Sequence, residues 1–118
     1  MNGPARHGCI VYARDVKKLS KFYIQYFGMN TVRETPEFVA LETEGFNLIV
    51  HVPPIESFET KFSTVKLFLT VASLDKARET IAAYGGSVME GEWSNPVFKV
   101  CNVEDPEGNH IQIREFKS

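Results

Sequence analysis

The sequence predicts an α+β fold built from two tandem βαβββ units, and three observations carry that prediction. A shift of 58 residues lays Gly8 on Lys66, Val11 on Leu69, Val16 on Leu74, Tyr23 on Ile81 and Gly28 on Gly86, and the apolar faces agree along the way. Each copy holds one helical stripe that opens on a capping residue and stops at glycine. After each stripe come short alternating runs between tight turns, the pattern of an antiparallel meander.

Each element has its own reason. Gly8 to Ala13 alternates, with Cys9, Val11 and Ala13 on one face and Ile10 and Tyr12 on the other. Asp15 stands where an N-cap belongs, Val16, Leu19, Tyr23 and Tyr26 form the stripe, and Gly28 ends the helix. Strands follow at Met29 to Glu34, Phe38 to Glu42 and Asn47 to Val52, parted by turns at Thr35-Pro36-Glu37 and Glu44-Gly45. Repeat 1 thus spans about 7–52, and 53–62, with two prolines and no period, reads as a connector. Repeat 2 spans about 63–116: a strand from Thr64 to Val71, Ser73 as cap, a stripe at Leu74, Ala77, Ile81 and Tyr84, and a stop at Gly85-Gly86. Ser87 to Glu90, a loop holding Trp93, Asn95 and Pro96, and a strand from Val97 to Val103 follow. Asp105-Pro106-Glu107-Gly108 then makes a turn into a last strand, where Ile111 and Ile113 face one way and His110, Gln112 and Arg114 the other. Val11, Leu67, Leu69, Ile111 and Ile113 are expected under the helices.

Composition bounds what such a fold can be for. At 118 residues and 43% hydrophobic content the chain reads as a single globular domain, 1–118. A net charge of −2 with acids and bases interleaved gives no basic stripe, so nucleic acid is not expected as a partner. No apolar run approaches the roughly 20 residues of a membrane span, and the opening residues do not form a signal peptide. A cytoplasmic location and no membrane partner follow as expectations. Cys9 and Cys101 lie inside expected strands, far from any Cys-x-x-Cys spacing, and read as small buried apolar residues.

The paired units, with Arg14-Asp15-Val16, Phe22-Tyr23 and Phe27-Gly28-Met29 early and Val103-Glu104-Asp105-Pro106-Glu107-Gly108-Asn109 late, resemble the vicinal oxygen chelate superfamily. That superfamily includes glyoxalase I, bleomycin-resistance proteins, fosfomycin-resistance enzymes and extradiol dioxygenases. The resemblance covers nearly the whole chain and is most specific at the late Asp-Pro-x-Gly-Asn motif. It implies curved mixed or antiparallel sheets around a cavity, helices on the outer faces, and two modules, often from two subunits, completing a site. A homodimer is therefore expected.

In metal-using members the resemblance implies ligands at the start of the first strand and on the last strand of each half. The matching positions here are Gly8, Ile49, Lys66 and Gln112, with His51 one same-face step beyond Ile49. Glycine has no ligand atom, an ammonium repels a cation, and an amide substitutes poorly for a carboxylate. No metal and no other cofactor is expected. His7 has the opposite parity unless a bulge re-aims it, and Glu115 has the wrong parity relative to Gln112. A lone His51 is more often a rim residue than a ligand.

Tyr12, His51, Lys66, Phe68, Gln112 and Arg114 remain as candidate ligand-binding residues. Lys66 on a covered strand face either meets a ligand or snorkels to water. Lys66 and Arg114 with aromatic walls suit a small organic anion with a flat or apolar body, unless Glu115, Glu92 or a partner's acid neutralises both cations. The favoured reading is a metal-independent binding protein of the bleomycin-resistance kind. The alternatives are a lactoylglutathione-lyase-like isomerase or other metal-dependent enzyme with a shifted site, and an interaction protein with a vestigial cavity.

Overall fold

A computed structural model describes residues 4–53 and 64–117. The chain divides into two units, residues 8–65 and residues 66–117 together with the N-terminal residues 4–7. The expected connector lies outside the described residues except for Pro53.

In the first unit the elements are β1 (Gly8–Tyr12), α1 (Val16–Phe27), β2 (Asn30–Glu34), β3 (Phe38–Thr43) and β4 (Phe46–His51). The Asp15 carboxylate accepts from the Lys18 amide at 3.0 Å, satisfying one of the orphan donors of the first turn. Gly28 closes the helix at φ 69°, a left-handed conformation that a Cβ would resist. The strands run in the order β2-β3-β4-β1, antiparallel except for β1, which pairs parallel with β4. Met29, Val39, Leu41, Leu48 and Val50 form the core, with Val11, Val16, Leu19, Tyr23 and Ile24 packed on it. Tyr26 does not complete the stripe. It is exposed and stacks on Phe22, because Ile24 lies closer to the buried side of the helix.

The second unit holds β5 (Val65–Thr70), which begins at the unit boundary, then α2 (Leu74–Thr80) and a 3₁₀ turn (Ile81–Tyr84). It continues with β6 (Ser87–Val88), β7 (Trp93–Ser94), β8 (Phe98–Glu104) and β9 (His110–Phe116). The order is β5-β9-β8-β6, with β7 also on β8; β5 pairs parallel with β9 and the other pairs are antiparallel. Two helices, each packed on its own unit's sheet, make this the expected α+β fold, with β7 an addition inside the segment read as a loop.

Two expectations fail here. Leu67 and Leu69 are 48% and 40% exposed, not buried under a helix. The helix turns to 3₁₀ geometry after Thr80, and Leu74 packs on Cys101, Val103 and Ile113 of β8 and β9, leaving the outer edge of the unit uncovered. The same change of pitch, from 3.6 to 3.0 residues per turn, carries Tyr84 out of the stripe to the surface. Val11, Ile111 and Ile113 do pack as expected.

Candidate functional site

Alternation on β5, β8 and β9 gathers polar and aromatic side chains on the sheet face opposite α2. Register sets Phe68, Gln112 and Asn102 in one row, Thr70, Arg114 and Val100 in the next, and Phe116 beside Phe98 in the last. The face is buried. Phe68 is fully enclosed, Lys66 is 8% exposed and Arg114 5%. The Arg114 guanidinium lies over the Phe68 ring at 4.0 Å and over the Phe98 ring at 4.7 Å, so its weakly hydrated plane uses aromatic faces as part of its surroundings.

Among the described residues the polar contacts of Arg114 are with neutral groups. Arg114 Nε donates to Gln112 Oε1 at 2.9 Å and Nη1 donates to the Ala5 carbonyl at 2.7 Å. Lys66 Nζ donates to Asn102 Oδ1 at 3.4 Å. Burial pushes the Arg114 guanidinium down to about 10 and lowers the Lys66 ammonium as well. The acids proposed from sequence as neutralisers are engaged elsewhere. Glu115 accepts from the Leu74 amide at 2.8 Å, capping α2, and lies 3.9 Å from Lys99; Glu92 pairs with Arg78 at 2.8 Å. Among the described residues Arg114 has no carboxylate within ion-pair distance.

Four of the six sequence candidates, Lys66, Phe68, Gln112 and Arg114, thus share one face. Tyr12 and His51 belong to the first unit, where they are register partners with ring centroids 6.1 Å apart, and Phe38 stacks on His51 at 5.6 Å. His51 Nδ1 is 2.8 Å from the Val52 carbonyl, which it can approach only as a donor, so Nε2 is the nitrogen left to accept. Burial raises the Tyr12 phenol to about 12. His7 Nδ1 meets the Thr70 amide at 3.4 Å, and His110 Nε2 lies 3.4 Å from Glu104.

Phe98 and Asn102 join the site without having been singled out, although their parity opposite Phe116 and Gln112 carried the signal. Residues 4–7 had no signal, since a backbone carbonyl has no sequence signature. They fold against the second unit: the Thr70 hydroxyl donates to the Arg6 carbonyl at 2.6 Å, and the Arg6 guanidinium lies over the Phe116 ring at 4.4 Å.

Residues 6–113 match the family model of the glyoxalase/bleomycin resistance protein/dioxygenase superfamily. The chain belongs to this superfamily. Among solved structures, a glyoxalase/bleomycin resistance protein/dioxygenase superfamily member from Vibrio splendidus 12B01 is 20% identical, with a TM-score of 0.66 over 95% of this chain and 98% of that one. A protein described as NAD-dependent benzaldehyde dehydrogenase from Legionella pneumophila is 17% identical, with a TM-score of 0.74 over 94% and 99%. Methylmalonyl-CoA epimerase from Mycobacterium tuberculosis is 17% identical, with a TM-score of 0.67 over 96% and 87%. At these identities the likeness is one of fold. A search of the curated proteins found none that matches in sequence.

At the positions where the resemblance places metal ligands, this chain carries no carboxylate, imidazole or thiolate. Gly8, Ile49, Lys66 and Gln112 stand at the expected ligand positions, and among the described residues no three His, Cys, Asp or Glu side chains converge.

Proposed function

We propose that this superfamily member binds a small organic anion on the β5–β9–β8 face of its second unit, without a metal at the superfamily's position. The observation that carries the reading is Arg114, a guanidinium buried to 5% exposure whose acceptors among the described residues are neutral. Desolvating a cation costs several kcal/mol unless an opposite charge offsets it. A carboxylate, sulfonate or phosphate would do so through charge-assisted hydrogen bonds, and the rings of Phe68 and Phe98 suit a flat or apolar body.

The test is calorimetric titration with benzoate, with benzamide as its neutral counterpart. Benzoate is expected to bind in the micromolar range, more weakly as salt rises, and benzamide not to bind. Lys66→Met should cost roughly tenfold in affinity and flatten the salt dependence. Equal binding of benzoate and benzamide, or a salt dependence untouched by Lys66→Met, would overturn the reading. Elemental analysis after chelator-free purification completes it: stoichiometric Ni, Zn, Mn or Fe lost on mutating His51 would favour a metal-dependent lyase or isomerase instead.

The protein is further proposed to be a homodimer. Val65, Leu67 and Leu69, alternate residues of β5, are all exposed, an apolar row of the kind that a partner covers. Light scattering at micromolar concentration should give twice the chain mass, and a persistent monomer counts against it. The free thiols Cys9 and Cys101 support a cytoplasmic location.

A further inference from the structure

The Ala5 carbonyl is an unusual partner for Arg114. It is separated from the guanidinium by 109 positions of sequence, it approaches to 2.7 Å, and it is neutral, so it occupies the cation without cancelling its charge. A carboxylate oxygen in the same place would bring an opposite charge and a second oxygen able to pair with the guanidinium through two parallel hydrogen bonds. Contacts with Thr70 and Phe116 help to hold the segment that delivers this carbonyl. The Thr70 hydroxyl donates to the Arg6 carbonyl at 2.6 Å, the Thr70 amide donates to His7 Nδ1 at 3.4 Å, and Arg6 lies over Phe116 at 4.4 Å, with Arg6 itself exposed.

We propose that the Ala5 carbonyl holds the place of a ligand's carboxylate oxygen on Arg114, and that residues 4–7 form a strap displaced when the anion binds. This rests on the anion-binding reading above. Gln112 fixes the guanidinium plane through Nε, leaving the Nη1 edge as the exchangeable position. Apparent affinity is then the intrinsic affinity reduced by the fraction of molecules with the strap open. Loosening the strap without touching Arg114 must tighten binding.

Two variants of the full chain loosen it. Thr70→Val removes the hydroxyl and keeps the shape, and Arg6→Ala removes the stacking contact on Phe116. Each is expected to bind benzoate about three- to tenfold more tightly than the parent. The sign is diagnostic for Arg6→Ala, because deleting a cation by electrostatics alone would weaken binding of an anion. In the parent chain, saturating benzoate should speed trypsin cleavage after Arg6 severalfold, read by mass spectrometry, and benzamide should not. If benzoate binds the parent but neither variant gains affinity and cleavage after Arg6 is unchanged or slowed, the strap is refuted and the anion pocket stands. If benzoate binds neither the parent nor the folded variants, both readings fall. Should Thr70→Val fail to fold, Arg6→Ala and the proteolysis of the parent chain decide the matter.

Discussion

Arg114 and Lys66 would set how the proposed anion binding responds to pH. Burial disfavours the charged form of each, so both lose their protons below the values ordinary for their side chains. Affinity for benzoate should therefore be level near neutrality, where both are charged, and should fall as pH rises, starting below the usual lysine value of 10.5. Titration calorimetry from pH 7 to 10 checks this, and Lys66→Met should make the fall smaller. The linkage to stability has the opposite sign to that of a salt-bridged base: the folded pKa is depressed, so the charged form works against folding and the penalty lifts as pH climbs through the folded pKa. Arg114→Met should accordingly abolish benzoate binding while leaving the melting temperature at or above that of the parent, since burying a charge that has no carboxylate beside it among the described residues costs free energy that a thioether does not. A Tm well below the parent's would mean that the guanidinium holds the sheet together. Asp105 shows the ordinary carboxylate case. Its pKa is lowered, first by the Asn109 side-chain amide and then by the Asn109 backbone amide, and the Glu107 amide adds to this. That stabilisation is present above about 3.8 and lost as pH falls through the folded pKa. Asp105→Ala should lower Tm at pH 7, by an amount that shrinks in acid.

At the level of elements, caps and turns were legible because they depend on a few local atoms. Asp15 and Ser73 accept from the amides three residues on, Gly28 and Gly108 take the positive φ that their turns need, and the Asp105–Asn109 stretch makes its own hydrogen bonds. Strand parity was equally local, and it put Lys66, Phe68, Gln112 and Arg114 on one face. What parity could not say was which face would be covered. Leu67 and Leu69 are exposed because α2 is short and turns to 3₁₀ pitch, whereas the polar face meets residues far away in sequence, Ala5 at Arg114 and Arg6 at Phe116. Gly86, just beyond that 3₁₀ turn, shows how tightly it is docked. A Cβ there would lie 2.7 Å from the Glu104 carbonyl and 2.8 Å from Ile81 Cγ1. Gly86→Ala should cost roughly 1–3 kcal/mol by overpacking, against about 1 kcal/mol for Gly28→Ala, where the space is open and only the left-handed backbone objects. Urea unfolding of both variants checks the order, and equal losses would mean that the Gly86 contact relaxes freely.

Across the whole molecule, the two units use the same device of pairing their first strand parallel with their last, β1 with β4 and β5 with β9. In the second unit this has a consequence for synthesis. As the chain leaves the ribosome, β5 emerges some forty residues before β9, so for all that time it has no strand of its own unit to pair with through the parallel register. Residues 4–7 wait longer still: made before the strands of either unit, they find Arg114 and Phe116 only after β9 has been made. Contacts of such span slow the search for the native state. The first unit, whose strands all lie within residues 8–51, can settle while the rest is still being translated. A nascent chain arrested before Ile113 should therefore show a protease-resistant first unit and a cleavable Arg6, with protection of Arg6 arriving only when the final strand is released.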